Sequence, residues 1–102
     1  MEQIIMCQID RTIVDEEFEG LKVKKLVSKD GCETLLIILQ KGHLFPEHTA
    51  PRDALLVLLE GAIRFQINNT DYQIEKHQTF TFPACVKHEV YANENSKFLI
   101  IR

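Results

Sequence analysis

The chain has 102 residues, 45% hydrophobic and 26% charged, which suits one globular domain with enough core to fold without staples and leaves no length for a second. Its net charge of -3 gives no basic footprint for nucleic acid, since the one basic run, Lys22, Lys24 and Lys25, alternates with apolar residues as a strand with a wet face does. No apolar stretch approaches the length of a membrane span, and the first ten residues, MEQIIMCQID, carry an acid where a secretory leader is positive. The expectation is a cytoplasmic protein with no membrane partner.

The first run, Gln3–Ile9, is apolar and isoleucine-rich and reads as a strand. An acidic stretch from Asp15 to Glu19, closed by Gly20, reads as a loop or a single helical turn. Leu21–Ser28 largely alternates, and the turn Lys29-Asp30-Gly31 leads into Cys32–Gln40, so these two form a hairpin. Short apolar runs then recur about every ten residues, the rhythm of an antiparallel sandwich or barrel. They are Leu44–Ala50, Ala54–Glu60, Ala62–Asn68, Tyr72–Glu75, Thr79–Phe82, Lys87–Ala92 and Lys97–Ile101. Pro46, Pro51 and Pro83 fall at strand ends or edges, where a missing N–H costs nothing.

Alternation assigns faces. Ile63, Phe65 and Ile67 share one side, as do Phe80 and Phe82. If His88 points inward, Val90 and Ala92 follow it, leaving Glu89 and Tyr91 outside. The three cysteines, Cys7, Cys32 and Cys85, are odd in number and widely spaced, which predicts reduced and mostly buried thiols rather than a disulfide framework.

Residues 42–61, GHLFPEHTAPRDALLVLLEG, and residues 77–92 resemble the two motifs of the cupin superfamily. Gly42, His48 and Gly61 fall on the first glycine, first histidine and last glycine of G-x5-H-x-H-x3–4-E-x6-G. Pro83 and His88 fall on the proline and histidine of G-x5-P-x-G-x2-H-x3-N, with His77, Cys85 and Ala92 at the places of its glycines and asparagine. The resemblance implies an all-β fold over residues 1–102, a single cupin or RmlC-like jelly-roll barrel of two packed antiparallel sheets, with residues 1–31 as amino-terminal strands and loop. It also implies a homodimer that pairs through the amino-terminal run, with Ile4, Ile5 and outward residues near Tyr91 at the interface.

Cupin metal sites use both histidines and the glutamate of the first motif with the histidine of the second; here Ala50 and Ala54 stand at two of those four places. A divalent Mn, Fe, Ni or Zn ion would have only His48 and His88, with Cys85 as a weaker third candidate through Cys-x-x-His, whereas stable sites supply three or four protein ligands. The leading expectation is therefore no metal. It is instead a small-molecule ligand, anionic or carbonyl-bearing, held near His48 and His88 in a cavity lined from Phe45, Leu56, Leu58, Phe65, Phe80 and Phe82. A metal-dependent dioxygenase, decarboxylase or isomerase on a small organic acid is the first alternative, and an interaction protein with a vestigial pocket the second. Glu47 and Asp53 could reach the site only through a bulge or register slip, and His43 and His77 fall in solvated turns.

Overall fold

The computed structural model describes residues 7–102. After a lead without regular structure, α1 (Thr12–Asp15) makes one helical turn, begun where Asp10 Oδ2 accepts the Thr12 N–H at 3.0 Å. Then come β1 (Leu21–Lys29), β2 (Cys32–Leu39), β3 (Leu44–His48), β4 (Ala54–Glu60), β5 (Ala62–Ile67), β6 (Thr70–Glu75), β7 (Thr79–Phe82), β8 (His88–Ala92) and β9 (Ser96–Ile101). Of the expected strand Gln3–Ile9, residues 3–6, Ile4 and Ile5 among them, lie outside those described. Residues 7–9 have no regular structure, and Ile9 is 95% exposed.

All strand pairs are antiparallel, in a five-stranded sheet of order β1-β2-β9-β4-β7 and a four-stranded sheet of order β3-β8-β5-β6. The eight strands β2 to β9, ordered 2-9-4-7 against 3-8-5-6, form a jelly roll, and β1 extends one edge. Two hairpins close on pairs with positive φ, Asp30-Gly31 at 53° and 78° and Asn68-Asn69 at 54° and 59°. Such primed turns match the twist of the strands they join. Because the two asparagines complete the turn alone, β6 starts at Thr70, earlier than its apolar pattern suggests.

Alternation fills the barrel. Ile63, Phe65 and Ile67 of β5, Val90 and Ala92 of β8, and Phe98 and Ile100 of β9 are buried between the sheets with Leu35, Ile37 and Leu39 of β2. The outer face of β2 is covered too, with Leu36 and Ile38 fully buried. On that face Lys97 donates to the Ile13 carbonyl at 2.6 Å and lies 5.2 Å over the Phe18 ring, while Glu16 pairs with Lys22 at 3.3 Å and Lys24 at 3.5 Å. These contacts pin the segment before β1 onto the five-stranded sheet.

The cysteines correct the expectation of burial. Cys7, Cys32 and Cys85 are all free, as expected, and all exposed. Cys32 follows a hairpin turn, and Cys85 holds φ at 65°, a turn conformation that faces solvent.

Candidate functional site

Strict alternation along β3 from Phe45 would turn Glu47 inward and His48 outward. The structure does the reverse because the pairing with β8 slips between Phe45, opposite Val90, and His48, opposite His88. Pro46 and Glu47 face only Glu89 across this bulge, and Pro46 has no N–H to lose from the ladder. Glu47 is left outside, 3.9 Å from Lys87.

Two loop contacts then bring the motifs together. Cys85 N–H donates to the Ala50 carbonyl at 2.9 Å, and Ala84 N–H donates to Asp53 Oδ1 at 2.8 Å. Asp53, one residue from the family's acid position, is thus occupied in clamping the two loops. The Ala50 carbonyl bonds across this gap rather than along a ladder, which is why β3 ends at His48.

The rings of His48 and His88 meet edge to face with centroids 4.2 Å apart. Phe45 stacks on His48 at 4.1 Å, and Phe65 and Phe82 flank His88 at 5.2 and 4.7 Å. Each imidazole is anchored to the backbone two residues earlier, His48 Nδ1 to the Pro46 carbonyl at 2.7 Å and His88 Nδ1 to the Val86 carbonyl at 2.9 Å. A carbonyl only accepts, so Nδ1 carries the proton, and in a neutral ring Nε2 holds a free lone pair. His88, only 4% exposed, has its pKa pushed below the ordinary histidine value, chiefly by burial; the Val86 carbonyl works against this and the neighbouring His48 adds to it.

Beside the pair opens a cavity of about 240 Å³. Phe45, His48, Phe65, Phe82, His88 and Val90 line it on one flank, with Thr49 and Ala50 at the loop. Val23, Leu35, Ile37, Phe98, Ile100 and Arg102 close the other. Leu56, Leu58 and Phe80 are not among the lining residues. Leu56 and Leu58 lie fully buried in the core, and Phe80 packs between the rings of Phe65 and Tyr72 at 4.8 and 4.9 Å. Cys85 does not line this cavity but a neighbouring surface depression, with Glu47, Asn68 and Lys87, that shares His88 with it. His43 and His77 are exposed.

Sequence reasoning did not name Val23, Leu35, Ile37, Phe98, Ile100 or Arg102 as lining residues, and of these Arg102 is the charged one. The signal was present, since the inward series Phe98, Ile100 continues by twos to Arg102, one residue past the expected strand.

The donor set does not fit the metal site of the two-motif pattern. The cavity offers two imidazole nitrogens and the Ala50 methyl group, and among the described residues no three His, Cys, Asp or Glu side chains converge as a ligand cluster. Two imidazoles fall short of the three or four protein ligands of a stable site.

A small antiparallel jelly roll with a mostly apolar cavity beside two imidazoles is the architecture of a cupin-type barrel. The chain belongs to the Cupin domain family, whose model matches residues 35–101. Solved structures agree on the fold. A conserved protein of unknown function from Streptococcus pyogenes is 24% identical, with 98% of this chain and 90% of that one covered and a TM-score of 0.81. An RmlC-like cupin protein from Desulfovibrio desulfuricans is 15% identical over 94% of this chain and 95% of that one, TM-score 0.82. A cupin 2 conserved barrel domain protein from Leptotrichia buccalis is 28% identical over 87% of this chain but only 43% of that one, TM-score 0.78. No curated protein matches the chain.

Proposed function

We propose that this cupin binds one compact organic molecule in the cavity beside His48 and His88. The observation that carries the reading is a pair of imidazoles whose Nδ1 atoms are engaged and whose Nε2 atoms have no hydrogen-bond partner among the described residues, at a mostly apolar space of about 240 Å³. Interiors that serve only stability are packed to the density of organic crystals. An apolar cavity of about 150 Å³ accepts benzene, so a ligand of about ten non-hydrogen atoms suits this one. Because the neutral Nε2 atoms accept, the ligand's polar end brings a hydroxyl or amino hydrogen, while Phe45, Phe65 and Phe82 enclose its body. A bare carbonyl would find no donor in this pair. The incomplete donor set places the metal-dependent dioxygenase, decarboxylase or isomerase second, and the open, polar-tipped cavity argues against a vestigial pocket.

Thermal melting against a library of small metabolites tests the reading, run on the wild type and on a His48→Ala, His88→Ala double variant. A bound compound raises the wild-type melting temperature in proportion to its saturation, and the double variant loses the rise. A wild type indifferent to every compound sinks the reading.

A homodimer in the cytoplasm, with neither nucleic acid nor a membrane as partner, belongs to the same proposal. Leu21, Val23 and Val27 of β1 stand 36%, 48% and 57% exposed, which supports a second copy covering this edge, the amino-terminal run included. Three free, exposed thiols suit a reducing compartment, and the net charge of -3 suits neither phosphate backbones nor anionic lipid. A light-scattering mass of one chain would count against the dimer.

A further inference from the structure

Among the described residues that line the cavity, Arg102 alone carries a formal charge. It reaches the inner face because its backbone pairs with β2, Arg102 N–H donating to the Glu33 carbonyl at 2.9 Å and Glu33 N–H to the Arg102 carbonyl at 2.7 Å. The guanidinium is held by Glu33, with Nη2 donating to Oε1 at 3.0 Å, and its side chain is 22% exposed. A guanidinium has five N–H donors in a planar fork. Glu33 engages one of its nitrogens, so donors are left for a second acceptor. Glu33 itself also lies 3.9 Å from Lys25, so its charge stays compensated when Arg102 turns toward a ligand.

We infer that Arg102 is the anion anchor of the cavity, and that the ligand is a compact monocarboxylate whose other end donates a hydrogen bond to His48 and His88. This rests on the small-molecule reading above and narrows it. Among the described residues no carboxylate lines the space, so a cationic ligand meets repulsion from Arg102 with no opposite charge to offset it. A carboxylate meets a preformed fork beside an apolar wall, where water competes little and a charge-assisted bond is strong. The two polar ends also divide the work, since neutral imidazole lone pairs repel an anion and accept a hydroxyl or amino hydrogen.

The test uses matched probes on the full chain: benzoate, 3-hydroxybenzoate and 4-hydroxybenzoate against benzamide and the two hydroxybenzamides, titrated by NMR near pH 7.5. The wild type should bind an acid at least about tenfold more tightly than its amide. Arg102→Gln should erase that preference while leaving amide affinity in place. Glu33→Gln, which frees the fork from its internal competitor, should bind the acid more tightly than the wild type; a purely structural ion pair would not produce this gain. Amides that bind as well as acids, or a preference that survives in Arg102→Gln, would overturn the assignment of Arg102 alone. Failure of every probe, neutral and charged, would instead overturn the cavity reading on which it stands.

Discussion

Where β4 turns into β5 the barrel is filled to contact, and where β3 runs beside β8 it is left open. At the closed end Ala62 N–H donates to Ser96 Oγ, whose hydroxyl faces the Ala62 and Glu94 carbonyls at 3.2 and 2.7 Å. Leu39, Ile63, Ala92 and Ser96 around it are fully buried. At the open end a bulge, two imidazoles and three phenylalanine rings leave a cavity of about 240 Å³. The same two-residue alternation builds both ends. Small side chains and regular pairing let the sheets converge, whereas a register slip and broad rings hold them apart, and function gathers where packing is incomplete.

Substitutions at the closed end should therefore cost most. Gly61 has φ at +89°, and a Cβ there would lie 2.3 Å from both the Asn95 carbonyl oxygen and Ser96 Oγ. Gly61→Ala combines a left-handed backbone penalty of about 1–2 kcal/mol with overpacking of about 1–3 kcal/mol, so urea unfolding should show a loss of about 2–5 kcal/mol. Leu58→Ala, in the filled core, should cost about 2–5 kcal/mol through cavity formation. Phe45→Ala at the open end removes a half-buried ring and should cost about 1–2 kcal/mol, yet it should weaken small-molecule binding more than Leu58→Ala does. If Phe45→Ala proved as destabilising as Leu58→Ala, the contrast between the two ends would fail.

A pH series sharpens the contrast further. Burial, opposed by the Val86 carbonyl and aided by His48, holds the folded-state pKa of His88 below its unfolded value, which is about 6.5. The unfolded chain therefore binds more protons, so stability is complete above the unfolded value and falls as pH drops through it. Melting temperature should decline on acidification from pH 8 to 5.5, and His88→Leu should flatten that part of the curve. An unchanged slope in this variant would place the acid sensitivity elsewhere.

The alternation of Ile63, Phe65 and Ile67, and of Val90 and Ala92, sufficed to read the jelly roll, because one buried face per strand writes itself into every second residue. Site geometry was legible only in part. His48 was singled out by its motif position, while the bulge that turns it inward showed only as an acid, Glu47, on the stripe that strict alternation assigns to Phe45, a sign that does not say where the extra residue sits. Depth along a strand is silent too. Leu56 and Leu58 share the inward stripe with cavity neighbours, but only the packed sheets place them in solid core. Arg102 was readable by extending the Phe98, Ile100 series one step, and the exposed thiols were misjudged because Cys is a commonly buried residue type whatever its turn.

The smallest expected effect reverses the glycine exchange of Gly61→Ala at the opposite end. His77 and Cys85 occupy glycine places of the second motif and keep a glycine-like backbone, with φ at 72° and 65°. Cys85 is exposed, and its N–H holds the loop to the Ala50 carbonyl, so the fold retains a conformation its side chain disfavours. Cys85→Gly should relieve about 1–2 kcal/mol of left-handed strain and give back about 0.4–1 kcal/mol to the freer unfolded chain, a net gain between zero and about 1.6 kcal/mol by urea unfolding. A loss of stability instead would mean that the Cys85 side chain contributes packing to the loop beside His88. The open end would then be more tightly built than its cavity suggests.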